Sequence, residues 1–401
     1  MKFFGWKGAA AASRPALSRA WNVGGAGLIG QGGQWPGHYE GQVREAVIGN
    51  PVAQRAVRLV SEAAGGAVLR AGFGAGDGSG ARGARGTSDI GQVVALVGAT
   101  SAGQGLVETL ALHLLLHGNA YVQIVCDPLG QPAELYALRP DKVSVELDAR
   151  GWPVAYLYRG GSDLVRYPAA DEGGCVAHIK AINPLDDHYG LGCIGAAAGA
   201  VAIHNAATRW NKALLDNAAR PSGALVYEAG KDGANLSAAQ FARLKEEMEV
   251  AFQGAANAGR PMLLEGGLRW QSLSLSPADM DFVALKAAAA RDIALAFGVP
   301  PMLLGLPGDS TYANYREANK ALWRQTILPL MTKICGGIAQ GLAHWMPGLE
   351  LGVDLDAVAE LSDERSALWE RVGAADFLSA AEKRALLGLE SMAAAVRGEE
   401  A

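Results

Sequence analysis

With 401 residues, half of them hydrophobic, the chain has apolar material for two or three packing units. Its formal net charge of −5 and the lack of any run of eighteen apolar residues argue against a generally basic nucleic-acid binder and a membrane-spanning helix. The charge is uneven: residues 1–70 hold eight Lys or Arg against three Asp or Glu, and residues 351–401 hold eleven acids against five bases, so the two ends suit different partners.

Residues 1–49 read as a basic N-terminal arm. The opening MKFFGWKGAAAASRPALSRA has no sustained apolar core of the kind a secretory signal needs, which predicts a chain that is intracellular at synthesis. Residues 1–40 and 71–91 are Gly-rich with little periodicity and are expected as arm and loop rather than core. Between them, Asn50 suits a cap and Pro51 the first position of a helix that ends at Gly65. A second helix is expected over 105–117, with Leu106, Leu110, Leu114 and His117 on one stripe. The period then shortens. NAYVQIVCD, ELYALRP, KVSVELD, PVAYLYR and GCVAHIKAI are β-branched and aromatic runs between Pro, Gly and Asp signals, and they predict an antiparallel sheet. Residues 50–190 are thus read as an α+β unit.

A helix is predicted from Leu191 to Ala219. It opens on the small residues of GCIGAAAGAVA, which let another helix approach closely, from the same fold or from an identical subunit. Residues 221–276 read strand, helix, strand, strand: PSGALVYE, then a helix opened by a Ser237 to Gln240 capping box, then RPMLLE and LRWQSLSL joined as a hairpin through Gly266 and Gly267. Ser276 and Pro277 open a second long helix with Asp279 in its first turn, and Gly298 with Pro300 and Pro301 ends it. The stretch FGVPPMLLGLPGDSTYANY interrupts helix on either side with prolines and glycines, and reads as a corner. A third long helix from about Tyr315 to Trp345 contains Pro329, so a kink is expected near Gln325 to Leu328. Two shorter helices follow, the later one capped by Ser379 and Glu382.

Chemistry is sparse. Val97 to Gly105 has the glycines of a phosphate loop but lacks its Gly-Lys-Ser/Thr ending. His113 and His117 stand one helical turn apart with no Glu after His113 and no third ligand nearby, so neither metal nor cofactor is expected. Cys126, Cys175, Cys193 and Cys335 form no Cys-x-x-Cys pair and read as buried thiols. His178, His188 and His204 lie near Asp186 and Asp187 in sequence, but no nucleophile setting accompanies them. Trp210, Trp270 and Trp323 read as packing anchors rather than base-stacking platforms. The residues alone point to a structural or interaction protein. The alternative from another class is a soluble hydrolase using His178 or His188 with Asp186 or Asp187.

Several phrases in order resemble the HK97-type portal proteins of tailed bacteriophages and the similar portals of phage-derived gene transfer agents. They are LHLLLHGNAYVQIV, ELYALRPDKVSVELD, VAHIKAINPLDDHYGLGCIGAAAGAV, NAARPSGALVYE, GRPMLLEGGLRWQSLSLSPADMDFVALK, IALAFGVPPMLLGLPGDSTYANYREAN and FLSAAEKRALLGLE, covering about residues 50–392. The strongest is Phe-Gly-Val-Pro-Pro followed by Ser310 to Asn314.

The resemblance implies an α+β portal architecture and no enzyme activity. By segment it implies a wing over 50–190, stem helices over 191–220 and 277–298, a clip over 221–276, a tunnel loop region over 299–314, a kinked helix over 315–346 and an acidic helical crown over 347–401. It implies a dodecameric ring at the head-tail vertex of a virion or phage-like particle, assembled in the host cytoplasm. Double-stranded DNA would pass through the ring for packaging and ejection. The large terminase, a head-tail adaptor and the major capsid protein would be its partners, with no membrane. Asp309, Ser310, Thr311, Tyr312 and Asn314 would border the DNA channel, and Glu246, Glu247 and Glu249 would face the clip's partners. Another head-tail connector of the same particles is the nearer alternative.

Overall fold

The computed structural model describes residues 35–73, 87–101, 104–169, 174–216, 223–227, 239–240, 242–243, 268–272, 282–306 and 312–389. They fall into two units, one formed by the chain up to Ala198 together with Ile293 onward, the other by Gly199–Asp292.

The first unit begins with a short helix α1 (Tyr39–Val43) that runs into a π-helical turn (Arg44–Ile48) and then α2 (Pro51–Gly65). The Asn50 carboxamide oxygen accepts the backbone N–H groups of Val52 and Ala53 at 3.0 and 3.1 Å, so two amides without intrahelical partners are satisfied at the start of α2. Ala53, Ala56, Val57, Val60 and Ala64 form its buried face. β1 (Leu69–Phe73) and α3 (Thr87–Val97) follow. Both reach into the stretch expected as loop. β1 is held by pairing with β12 (Leu349–Val353), a partner no local rule reveals. The two-residue strands β2 (Thr100–Ser101) and β3 (Gln104–Gly105) lead into α4 (Leu106–His117). On α4, Val107, Ala111 and Leu115 are buried as well as the expected Leu106, Leu110 and Leu114, so this helix is enclosed on most sides.

The strands divide into two three-stranded antiparallel sheets where the sequence predicts one. The first has the order β5 (Pro132–Leu138), β4 (Asn119–Cys126), β9 (Val176–Lys180), and the second β6 (Val143–Leu147), β7 (Pro153–Gly160), β8 (Asp163–Pro168). A single 3-10 turn over Pro140–Lys142 carries the chain from one sheet to the other. β8 is exposed along most of its length, and so lacks the apolar alternation that announces the rest. Tyr121, Leu138, Val143, Val145, Tyr156, Val176 and Tyr189 form the core cluster that both sheets share.

In the second unit, α5 (Cys193–Asp216) continues beyond Ala198, β10 (Gly223–Tyr227) pairs antiparallel with β11 (Leu268–Ser272), and α6 (Phe282–Ala296) returns toward the first unit's segment. β11 contains LRWQS, whose described partner is β10; RPMLLE, its expected hairpin mate, lies outside the described residues, as do the Ser237 and Ser276 caps.

The rest of the first unit is helical. α7 (Tyr312–Leu322), a π-helical turn (Trp323–Ile327) and α8 (Leu328–Leu342) make the long interrupted helix, and α9 (Ser362–Gly373) and α10 (Ala380–Leu386) follow β12. Met331, Ile334, Cys335, Ile338 and Leu342 form the buried face of α8. A Cβ added at Gly337 or Gly341 would come within 2.5 Å of Ile179 or Ala177, so α8 needs those glycines to lie directly on β9. Ser379 and Glu382 form the expected capping box.

Candidate functional site

The predicted corner is built by backbone chemistry. Gly298 has φ +66°, its N–H reaches the Leu295 carbonyl at 3.0 Å, and the Val299 N–H reaches the Ala294 carbonyl at 2.9 Å. This pair of bonds is a Schellman ending, which uses a left-handed residue to satisfy the last carbonyls of a helix. Phe297 and Val299 flank the glycine and are buried, fixing the chain's exit from α6. Pro301 then opens a 3-10 turn over Pro301–Leu304 that anchors through buried Leu303 and closes at Gly305, φ +72°.

The corner is tied to the interrupted helix. The Thr326 hydroxyl, within the π-helical turn, donates to the Gly298 carbonyl at 2.6 Å. The turn lies where Pro329 has no N–H to offer the Gln325 carbonyl four residues earlier, and the wider winding absorbs that loss. Where a kink is expected, at Gln325 to Leu328, the helix carries a π-helical turn that ends at Ile327.

The cations beside the corner have acidic partners on α9. Arg316 lies 3.8 Å and Lys320 3.9 Å from the Asp363 carboxylate, Lys320 also 3.4 Å from Glu317, and Arg324 pairs with Glu364. Each exposed pair contributes about 0–1 kcal/mol to stability. Their greater effect is on the local field, because they leave α7 with paired rather than clustered positive charge.

Of the residues expected to border a channel, Asn314 is exposed in the first turn of α7 and Tyr312 begins that helix. Asp309, Ser310 and Thr311 lie outside the described residues, as do Glu246, Glu247 and Glu249.

The histidines considered for catalysis or metal binding serve the fold. Asn119 is the centre of a polar network: its carboxamide oxygen accepts the Gly190 N–H at 2.7 Å and His178 Nε2–H at 3.0 Å, and its nitrogen donates to His117 Nδ1 at 3.0 Å and to the Gly190 carbonyl at 3.2 Å. His178 stacks on Tyr121, with ring centroids 4.3 Å apart. Burial, then the neighbouring His113 and His178, lowers the His117 pKa to about 3. Burial, then Lys180 and His188, lowers that of His178 to about 3. Burial likewise lowers His113 to about 4, and its Nδ1 has no hydrogen-bond partner among the described residues. The Asp186 carboxylate accepts the backbone N–H groups of His188 and Tyr189 at 2.7 and 3.0 Å, so it shapes a turn rather than orienting an imidazole. His204, on α5, is buried, with its pKa lowered by burial and then by Lys286. Among the described residues no group of three or more His, Cys, Asp or Glu is placed to hold a metal, and no helix is long and apolar enough to cross a membrane. The Asn119 network was not anticipated; its only sequence signal is the spacing of His117-Gly118-Asn119 and Gly190-Leu191-Gly192.

The profile of the family described as "Phage portal protein" matches residues 51–388. The chain belongs to that family. Its relatives include an uncharacterized protein of Rickettsia bellii, 40% identical over 291 residues, which make up 72% of this chain and 74% of that protein. A chain from the neck of a native gene transfer agent particle, computed with C12 symmetry, is 45% identical, with a TM-score of 0.66 over 94% of this chain and 96% of its own length. The crystal structure of an HK97-family portal protein from Corynebacterium diphtheriae shares the fold, with a TM-score of 0.53 over 80% of this chain and 97% of its own, at 17% identity. The mixed helix-and-sheet architecture is thus that of solved portal proteins, and the portal family is a structural one rather than an enzyme family.

Proposed function

We propose that this protein is the portal of a phage-like particle: a ring at one vertex of the head through which double-stranded DNA enters during packaging and leaves at ejection. The observation that carries this reading is the 45% identity, across 94% of the chain, to a component of a gene transfer agent neck computed with C12 symmetry. The ring is read as a dodecamer at the head-tail vertex, assembled in the host cytoplasm, and the C12 symmetry of that neck supports the ring.

Within the ring the α+β region of residues 50–190 acts as the wing, α5 and α6 as stem, residues 221–276 as clip and residues 347–401 as crown. The separate clustering of Gly199–Asp292 supports a clip and distal stem that form their own body. The large terminase and then a head-tail adaptor dock at the clip, where Glu246, Glu247 and Glu249 face them, and the major capsid protein surrounds the wing. Residues 299–314 border the DNA, with Asp309, Ser310, Thr311, Tyr312 and Asn314 as short polar contacts. A passage for sliding DNA must not hold phosphates strongly, because each neutralised phosphate adds binding free energy. The acidic partners of Arg316, Lys320 and Arg324 support this reading of the corner.

Electron microscopy of the purified protein and of the particle vertex tests the proposal. Closed rings are expected in both. Particles that package DNA normally without this chain at any vertex overturn it.

A further inference from the structure

The loop between β9 and α5 combines a tightly held backbone with an apolar surface. The Asn183 side chain accepts the Leu185 N–H at 3.0 Å and donates to the Tyr189 carbonyl at 2.9 Å, while Asp186 caps His188 and Tyr189. Lys180 donates to the Asp187 carbonyl. Buried Tyr189 receives the Val145 N–H on its hydroxyl at 2.9 Å, and the Ala181 N–H reaches the Gly118 carbonyl at 2.7 Å. At the base, Gly190 and Gly192 press so closely on the α4–β4 junction that an added Cβ would lie 1.9 Å from the Gly118 carbonyl oxygen or 2.3 Å from that of Leu116. The Asn183 and Asp186 side chains are thus turned to the loop's own backbone. Outward stand Ile182, 85% exposed, Leu185, 79%, and Leu191, 50%, with exposed Pro184 and Asp187 between them.

A rigid loop that offers three aliphatic side chains to water is a costly surface for a free chain and an inexpensive one to bury, because little ordering entropy is left to lose. We infer that this loop is an intersubunit contact, with Ile182, Leu185 and Leu191 packing on a second copy of this chain. The occupant is a second copy for two reasons. The similar neck structures were computed with C12 and C6 symmetry, which sets copies of one chain side by side. The helix that follows opens with exposed Gly195 and Ala196, and among the described residues nothing lies within 4 Å of a Cβ at Gly195, so a neighbouring backbone has room to come close. The contact is head-to-tail, as a closed ring requires: the loop of each copy meets a different surface of the next.

This inference rests on the ring reading, and the experiment separates the two. Full-length wild-type protein, Ile182→Asp and Leu185→Asp are compared by mass photometry across a dilution series, with thermal melting to show that these exposed substitutions leave the fold intact. Rings of the variants are expected to dissociate at a concentration at least about tenfold higher than wild type, since a buried charge replaces an aliphatic contact at every interface. In parallel, a photoreactive phenylalanine at position 185, which keeps the site apolar, is expected to give a covalent ladder of joined chains when isolated rings are irradiated. Wild-type rings with unshifted variants and no ladder overturn the intersubunit contact and leave the portal reading standing. Adducts formed only in whole particles, and only to a different protein, overturn it as well. Wild-type protein that forms no ring under any condition removes both.

Discussion

The Thr326 hydroxyl donates to the Gly298 carbonyl at 2.6 Å, joining the end of one long helix to the π-helical turn inside the next. Gly298 is at φ +66°, and a Cβ placed there would come 2.8 Å from that same hydroxyl oxygen. The corner is therefore held by a bond that also forbids a side chain. Gly298→Ala meets both the left-handed backbone, worth about 1–2 kcal/mol, and the contact with Thr326. Gly305→Ala meets only the first among the described residues, none of which lies within 4 Å of a Cβ there. Urea unfolding should show Gly298→Ala as the more destabilised of the two. Thr326→Ala should cost about 1 kcal/mol. Combined with Gly298→Ala it should cost less than the two separately, since the contact is relieved. Equal losses for the two glycines would mean that the hydroxyl does not crowd the corner.

Acid should weaken the first unit through its histidines. In the fold the pKa of His113 is lowered to about 4 and those of His117 and His178 to about 3, each chiefly by burial, against about 6.5 in an unfolded chain. The folded state holds them neutral, so their contribution is complete above about pH 6.5 and is lost as the pH falls toward the folded values. Each costs up to about 1.4 kcal/mol per pH unit across that window, so stability should drop by several kcal/mol between about pH 6.5 and pH 4. His178→Gln keeps an amide donor for Asn119 and should flatten the profile by one titrating group. Urea midpoints measured against pH give the slope, and a profile that is level down to about pH 4 would contradict it.

Deleting residues 308–313 should leave ring formation intact and impair DNA packaging or retention, because the Schellman ending and the 3-10 turn that shape the corner both lie before the deletion. Packaged DNA per particle, read by nuclease protection, checks this. Wild-type packaging by the deletion would reduce residues 308–313 to a connector.

Charge reversal at Glu246, Glu247 or Glu249 should weaken docking of the terminase or adaptor while leaving the melting temperature within about 2 °C of wild type, as expected for surface substitutions. Pull-down against each partner, with and without added salt, gives the readout. Unchanged binding would remove that face from consideration.

Features that depend on a few neighbouring residues were legible in the sequence. Asn50 and Pro51 at the start of α2, Gly298 at the end of α6, Pro329 beside the π-helical turn and the Ser379 to Glu382 box all act through hydrogen bonds made or lost within one turn of helix. The order of the phrases that resemble portal proteins carried the family as well, and the profile match over 51–388 agrees. Other features were decided only by tertiary structure. β1 exists because Leu69–Phe73 finds Leu349–Val353, some 280 positions away, and exposed β8 gave no period to read. The same applies to the histidines: spacing left His117 and His178 open to catalysis or metal binding, and only the fold set both against Asn119, whose own position depends on Gly190. A cap is satisfied by the residue beside it, so its composition announces it. A strand partner or a buried hydrogen bond is satisfied from across the chain, and no local pattern says which of many candidates will arrive.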